Sequence, residues 1–348
     1  MGVIHPDISK AETLPSNYYT DEKLYLQLLE KFPSTWNFIG LESMLEEKTI
    51  VPVSIGEIPM LLTKKGSQIY CVSNVCTHRG MLLCQESKNT SSITCPYHGR
   101  MFSLDGKMKH MPKFSEVENF PADSDNLPNA KVVNWHGLLF ADLSDDESFE
   151  GYIESLESRM SFLDFSKLNR DSGLDRLHEL SANWMLYVDN YLEGFHIPYV
   201  HKDLNSVIDY SNYETEVFEN AVLQIGYAIG DEECFDIPSN HQDYGKNIAA
   251  YYWWIFPNLM LNFYPWGLSI NVVLPQGISS TKIAYYGLIL DESKLGVGAG
   301  GDLDTVEDED QWIVESCNKG MNSPLYRRGR YSPTMEQGVH HFHRLLTE

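Results

Sequence analysis

The sequence predicts an α+β protein with two domains, a β-rich N-terminal one and a larger one built on an antiparallel sheet. Residues 35–145 contain short apolar runs separated by the turn signals "GE" and "KKGS", which is typical of hairpins. After residue 180, an aromatic helical stretch is followed by long strand-like runs. The 348 residues, of which 43% are hydrophobic, are enough for two separate cores.

The order of the elements places the domain boundary between residues 145 and 146. "VVNWHGLLFADL" predicts the closing strands of the first domain, and the acidic "SDDESFEGYIESLESRM" then begins a helical region. Residues 1–34 form a helical segment that we expect to pack on the second domain. In that domain "AVLQIGYAIG", "AAYYWWIFPNLMLNFYPWGLSINVVLPQG" and "TKIAYYGLILD" predict strands. We expect residues 292–310 to form a loop and "EDQWIVESCNKGMN" a helix packed on the sheet.

Composition narrows the classes of function. A net charge of −23 disfavours binding to nucleic acids and to anionic membranes. The apolar runs are too short to span a membrane, and the first residues lack the apolar stretch of a secretory signal, so we expect a cytoplasmic protein. Four of the six cysteines lie within 25 residues, which in that compartment favours a metal site over disulfides.

The cysteine cluster contains two Cys–His pairs, each followed by glycine. "CTHRG" contributes Cys76 and His78, and "CPYHG", after a gap of sixteen residues, contributes Cys95 and His98. Core residues or a zinc site are alternatives, but zinc ligands more often come as Cys–Cys and His–His pairs. A two-iron cluster, with thiolates on one iron and imidazoles on the other, explains why each loop supplies one of each.

This motif resembles the Rieske domain of ring-hydroxylating oxygenases. Met81 and Tyr97 stand where the electron-transport Rieske proteins carry an additional disulfide-forming cysteine pair, so the likeness is to the oxygenase type. The resemblance implies a [2Fe-2S] cluster bound by Cys76, His78 and the second pair, in a Rieske domain spanning 35–145. It also implies that residues 146–348 form a catalytic domain of the helix-grip, START-like kind.

A second motif, "NWMLYVDNYLEGFHIPYVH", contains His196 and His201. A straight helix would turn these side chains apart, but Pro198 between them predicts a break that lets both reach one metal ion. A helix with surface histidines remains an alternative. A cluster that stores an electron needs an acceptor, and iron(II) held by two histidines and a carboxylate is the usual dioxygen-activating centre. The segment resembles the iron-binding helix of the same family, which implies that both histidines are ligands.

The resemblance also implies roles for two acids. The family's third iron ligand is an aspartate at the start of a late helix, five residues before a glutamate; here that is Asp310, with Asp308 and Glu307 as alternatives and a helix cap as a structural explanation. Glu193 stands at the family's acidic position that bridges the iron site to a Rieske histidine. Family members that act on quaternary amines have a glutamate at this position, and this chain resembles them. We therefore expect Glu193 to take part in catalysis as this bridge.

The implied function is that of a catalytic alpha subunit. Electrons would come, ultimately from NAD(P)H, through a separate reductase or ferredoxin, and pass from the cluster to a mononuclear Fe(II). With O2 as co-substrate, the enzyme would hydroxylate, dihydroxylate or demethylate a small organic molecule. The family assembles as rings of three, so we expect a homotrimer. A Rieske electron carrier and a START-like ligand-binding module, both without oxygenase activity, remain alternatives.

Two features of the sequence bear on the class of substrate. Residues 251–266, "YYWWIFPNLMLNFYPW", supply aromatic rings that stack on an aromatic substrate, surround a quaternary ammonium group, or simply fill the core. The tail "YRRGRYSPTMEQGVHHFHRLL" resembles that of choline-monooxygenase-type members and favours a quaternary amine.

Overall fold

The computed structural model describes residues 3–144, 148–301 and 303–348. The chain divides into two compact units, one formed by Leu29–Gly151 and the other by Tyr152–Glu348 with the N-terminal segment that ends at Leu28. The predicted boundary between residues 145 and 146 falls on Asp145–Glu147, which lie outside the described residues.

The N-terminal segment and the first unit come first along the chain. The helices are α1 (Asn17–Thr20), α2 (Glu22–Leu29) and α3 (Met44–Glu47). The strands are β1 (Asn37–Leu41), β2 (Ile50–Ile55), β3 (Ile58–Lys65), β4 (Gln68–Ser73), β5 (Ile93–Thr94), β6 (Met101–Phe102), β7 (Met108–His110), β8 (Asn129–Trp135) and β9 (Leu138–Asp142). They form a six-stranded sheet in the order β1-β9-β8-β4-β3-β2 and a three-stranded sheet in the order β5-β6-β7. The predicted hairpin signals connect β2 to β3 and β3 to β4.

The second unit is built on one large antiparallel sheet. Its strands are β10 (Asn169–Leu180), β11 (Glu214–Val217), β12 (Ala221–Tyr227), β13 (Ile248–Ile255), β14 (Leu259–Tyr264), β15 (Gly267–Gly277) and β16 (Ser280–Ile289), in the order β10-β16-β15-β14-β13-β12-β11. Its helices are α4 (Phe149–Arg159), α5 (Trp184–Tyr191), α6 (Ile197–Val200), α7 (Lys202–Val207), α8 (Leu303–Met321) and α9 (Gln337–Thr347). The predicted α+β class with a large antiparallel sheet is therefore confirmed.

Helix α5 positions the second motif over this sheet. The Asn183 side chain accepts a hydrogen bond from the Met185 amide at 3.0 Å, which caps the first turn. The next residues, 184–188, are buried, and α5 packs against β15, α8 and α9. This packing brings the end of α5 alongside α8, although more than 100 residues separate them.

Helix α8 begins earlier than expected. The prediction of a loop up to residue 310 was wrong, because the helix runs from Leu303 and includes the acidic "VEDED" in its early turns. Val306 lines a cavity and Val314, eight residues further on, is buried, so one face of α8 packs on the domain. This packing, which includes contact with α5, stabilises the helix through the acidic segment. Residue Asp302 lies outside the described part of the chain.

Candidate metal centres

The two Cys–His loops of the first unit have the same backbone geometry. The amide of Cys76 donates to the carbonyl of Met81, and that of Cys95 donates to the carbonyl of Arg100, at 2.9 and 2.7 Å. In each loop the glycine that follows the histidine donates back to the cysteine carbonyl at 3.0 Å. Both glycines have positive φ angles, 68° and 72°, which other residues rarely adopt. The "HRG" and "YHG" sequences therefore fold into matching turns.

These turns bring the four predicted cluster residues together. Cys76 and Cys95 are buried, and the ring centroids of His78 and His98 lie 4.9 Å apart. The buried Nδ1 atom of His98 has no hydrogen-bond partner among the described residues. Burial, followed by the charges of His98 and nearby arginines, lowers the pKa of His78, which favours the neutral form that binds metals. The donor set of two thiols and two imidazoles fits a Rieske [2Fe-2S] cluster.

The second motif of the sequence folds as three helical pieces. Helix α5 ends at Tyr191, Glu193 follows in an irregular turn, and α6 and α7 begin after His196 and His201. The helix is broken, as predicted, but the prediction that the break lies at Pro198 was wrong. Pro198 lies in the first turn of α6, where its missing N–H is tolerated, and the chain leaves helical geometry before and after it. Gly194 is required in the turn, because a Cβ atom there would lie 2.7 Å from the ring of Tyr213.

His196, His201 and Asp310 converge at one point. The two Nε2 atoms lie 3.1 Å apart, and Asp310 Oδ1 lies 3.0 Å from His201 Nε2 and 3.6 Å from His196 Nε2. Metal–ligand bonds of about 2.1 Å at right angles would place donor atoms about 3 Å apart. Among the described residues, the donor atoms of these three side chains all lie within 4.8 Å of one another, close enough to hold a single metal ion. Asp308, the alternative to Asp310, is exposed on α8.

A second layer of polar groups orients these three side chains. The Nδ1 atoms of His196 and His201 each lie 2.8 Å from a carboxylate oxygen, of Glu193 and Glu309 respectively. If each Nδ1–H donates to its carboxylate, both Nε2 lone pairs point at Asp310, an arrangement that a cation between them would stabilise. Burial alone would lower the pKa of His201, but the hydrogen bonds and charges of Asp310 and Glu309 outweigh it and raise that pKa.

Two residues of this second layer had not been singled out from the sequence. Glu309 was not distinguished from its acidic neighbours, and the Asn190 side chain donates to Asp310 Oδ1 at 2.7 Å. Asn190 is the last residue but one of α5, so its contact with α8 depends on how the two helices pack.

The three converging side chains open on a cavity with an empty volume of about 700 Å³, solvent at its mouth included. Its aromatic lining consists of Tyr187, Tyr191, Tyr213, Tyr252 and Tyr264. Of the aromatic run at 251–266, only Tyr252 and Tyr264 line it; Tyr251, Trp253, Trp254 and Phe263 are core residues, and Trp266 lines a neighbouring cavity. The run is therefore mostly core, because successive strand residues alternate between the two faces of the sheet.

Comparison with known families identifies the chain. The family "Ring hydroxylating alpha subunit (catalytic domain)" matches residues 169–348, and the family "Rieske [2Fe-2S] domain" matches residues 35–121. The chain belongs to the ring-hydroxylating oxygenase alpha-subunit family. This Rieske oxygenase is an oxidoreductase that uses a Rieske cluster, a mononuclear iron and dioxygen as co-substrate. Its family works with a reductase, as expected.

The Rieske oxygenase is similar in sequence to two groups of monooxygenases. It is 29% identical to the chloroplastic choline monooxygenase of Beta vulgaris, over 99% of this chain and 78% of that protein. It is 28% identical to the carnitine monooxygenase oxygenase subunit of Escherichia coli, over 97% of this chain and 94% of that one.

Solved structures share the fold. A quaternary ammonium Rieske monooxygenase in complex with an inhibitor superimposes with a TM-score of 0.79, at 24% identity, covering 98% of this chain and 96% of that one. Naphthalene 1,2-dioxygenase from Rhodococcus sp. gives a TM-score of 0.76 at 20% identity, covering 96% and 93%. Within the described residues, no helix combines the length and the apolar character needed to cross a membrane; the cytoplasmic location stays a prediction.

Proposed function

We propose that this Rieske oxygenase oxidises a quaternary amine at an iron held by His196, His201 and Asp310. The observation that carries the proposal is the convergence of three metal-binding atoms on a cavity lined by tyrosine rings. The faces of tyrosine rings attract a trimethylammonium group through cation–π interactions. Because this group has no N–H, it cannot donate hydrogen bonds to the protein. The names of the similar choline and carnitine monooxygenases support the same substrate class.

The chain's own residues would hold two redox groups and fix their orientation. Cys76, His78, Cys95 and His98 would bind the cluster, and the iron, when bound, would supply dioxygen activation. Glu193 and Glu309 would accept the Nδ1 protons of the two iron-binding histidines and so hold each ring in the tautomer that presents Nε2 to the metal. The tyrosine rings would place the methyl groups of the substrate beside the iron.

Electrons would reach the chain one at a time from a separate reductase or ferredoxin, itself reduced by NAD(P)H. We propose a homotrimer in which Glu193 connects the iron site of one chain to His98 of the partner subunit. Within its own chain Glu193 already accepts hydrogen bonds from His196, at 3.1 Å from the backbone N and 2.8 Å from Nδ1. A carboxylate with two oxygens retains lone pairs for a further donor.

A substrate screen tests the proposed function. The purified enzyme is supplied with NADH and a Rieske-oxygenase reductase, and dioxygen uptake is coupled to product analysis. We expect oxidation of at least one trimethylammonium compound among choline, carnitine and related betaines, and none of naphthalene. Oxidation of aromatic hydrocarbons but of no amine would contradict the assignment of substrate class.

We expect Cys76→Ser to remove the visible absorption of the Rieske cluster. Serine supplies no thiolate, and the remaining three ligands cannot hold the two-iron unit. The matched control is Cys317→Ser, which changes an exposed cysteine of α8 and should leave the spectrum unchanged. A variant with a full-strength Rieske spectrum after Cys76→Ser would show that the cluster lies elsewhere.

We expect Glu309→Gln to weaken binding of the mononuclear iron by roughly 10- to 100-fold, the range typical for the loss of a carboxylate that orients a ligand histidine. Iron is titrated into chelator-treated protein whose Rieske cluster is intact. Asp308→Asn neutralises the exposed neighbour on the same helix and should have no effect. Equal affinities in the wild type and the Glu309 variant would exclude a role for this carboxylate in holding His201.

A further inference from the structure

Glu307 lies one helical turn before Asp310 and lines the same cavity. Its carboxylate accepts hydrogen bonds from three neutral donors on three different elements: the Tyr187 hydroxyl on α5 at 2.5 Å, the Tyr285 hydroxyl on β16, and the Asn271 amide on β15 at 3.2 Å. None of the functions described above uses this carboxylate.

A chain of hydrogen bonds across the cavity floor points at the same carboxylate. The Tyr191 hydroxyl donates to Asn262 Oδ1 at 2.8 Å, the Asn262 amide to Asn271 Oδ1 at 3.2 Å, and the Asn271 amide to Glu307 Oε1 at 3.2 Å. Hydrogen bonds to the ionised form of a carboxyl group favour that form. The donors around Glu307 are therefore arranged to stabilise its anionic form.

The Glu307 carboxyl group lacks a positive partner in the described part of the protein. No lysine, arginine or histidine there forms an ion pair with Glu307, whereas Asp310, a second carboxylate, lies nearby. Burial, followed by the charge of Asp310, raises the pKa of Glu307 to about 7. Without a cation beside it, the buried carboxyl group is therefore only partly ionised near neutral pH. A cation that enters the cavity would stabilise its ionised form.

A second buried polar atom in the cavity points to a ligand. Gln224 is 1% exposed; its amide donates to the Tyr191 carbonyl at 2.7 Å, while its Oε1 has no partner among the described residues. A small molecule with a cationic head and a hydroxyl group satisfies both features, the head beside Glu307 and the hydroxyl beside Gln224.

We propose that Glu307 is the counter-charge that recognises the cationic head group of the substrate. The tyrosine rings of the cavity would contact its methyl groups, and the carboxylate would distinguish the ammonium from a neutral group of the same shape. This inference rests on the proposed function for the type of substrate and adds the residue that selects it. The competing explanation is that Glu307 balances the charge of the bound iron.

The test is equilibrium binding by calorimetry, on anaerobic oxidised holoenzyme so that no turnover occurs. The probes are choline and its neutral carbon isostere, in which a tert-butyl group replaces trimethylammonium. We expect the wild type to bind choline at least about tenfold more tightly than the isostere. In Glu307→Gln that preference should disappear, choline affinity falling about tenfold or more and isostere affinity changing less than about threefold.

Two further variants guard against misinterpretation. Glu307→Asp keeps the charge and should keep a preference for choline, whereas Asp308→Asn neutralises an exposed carboxylate of the same helix and should change neither affinity. The proposal is overturned if Glu307→Gln weakens both probes alike, if it leaves the choline preference intact, or if the wild type shows no preference. Loss of iron from Glu307→Gln with an unchanged preference would favour the charge-balance explanation instead.

The role of Glu307 and the proposed function can fail independently of each other. If no amine is oxidised but the choline preference disappears in Glu307→Gln, the proposed function fails and the role of Glu307 stands. If amines are oxidised and the preference survives in Glu307→Gln, the proposed function stands and the role of Glu307 fails.

Discussion

Asp310→Ala should empty the mononuclear iron site, and dioxygen uptake with substrate should fall by more than about a hundredfold. The carboxylate is one of three donors, so its loss exceeds the 10- to 100-fold effect typical of residues that only orient a ligand. Removing it also leaves the two Nε2 atoms, 3.1 Å apart, without the third group that completes the site. The Rieske spectrum should be unchanged, because none of the cluster residues is altered. Iron analysis and visible absorption measure both effects on one sample.

Asp308→Ala is the matched control for this prediction. Asp308 is the competing aspartate in the sequence but is exposed, whereas Asp310 faces His201 at 3.0 Å. Full iron content and activity in Asp310→Ala, together with loss of iron in Asp308→Ala, would mean that α8 is rotated or shifted so that Asp308 faces the two histidines.

Glu193→Gln should slow turnover by an order of magnitude or more while both metal centres stay occupied. The substitution keeps the size of the side chain but replaces the carboxylate that accepts from His196 Nδ1 at 2.8 Å. An amide accepts less strongly and presents donors to its partners, so it no longer holds the imidazoles in one tautomer. Single-turnover kinetics on pre-reduced enzyme, with substrate and dioxygen present, follow reoxidation of the Rieske centre directly.

The control variant for Glu193→Gln is Asp203→Asn. Asp203 is an exposed acidic residue on α7, close in sequence to His201. It should leave the rate of reoxidation unchanged. Slow reoxidation in Glu193→Gln with both metal centres occupied supports a bridge between the iron site and the cluster of a neighbouring chain. An unchanged rate would reduce Glu193 to a residue that only caps the turn before α6.

Apart from Asp310, which lies 109 positions from His201 and was predicted through the family resemblance, the residues predicted from the sequence lie in local motifs. The Cys–His loops lie within 25 residues and carry their own glycine turns, so their convergence could be anticipated without knowing the rest of the fold. His196 and His201 could be paired for the same reason, although the helix breaks lie around Pro198 rather than at it.

The remaining site residues depend on long-range packing. Asn190 and Asp310 are 120 positions apart and are in contact because α5 and α8 pack together. Glu309 and His201, at the junction of α6 and α7, are 108 positions apart and are likewise brought together only by the fold. A run of four acids, "EDED", does not reveal which members face the site. The helical structure shows which of them do. Residues three apart lie on the same face of a helix, so Glu307 and Asp310 both line the cavity, whereas Asp308 is exposed to solvent.

The central claim is that one chain carries both a Rieske cluster and a separate mononuclear iron. Iron and acid-labile sulfide, counted on protein purified anaerobically, test it most directly. The account predicts about three irons to two sulfides per chain, and about two to two in Asp310→Ala. Two irons to two sulfides in fully reconstituted wild-type protein would contradict it and would leave an electron carrier with an inactive second domain.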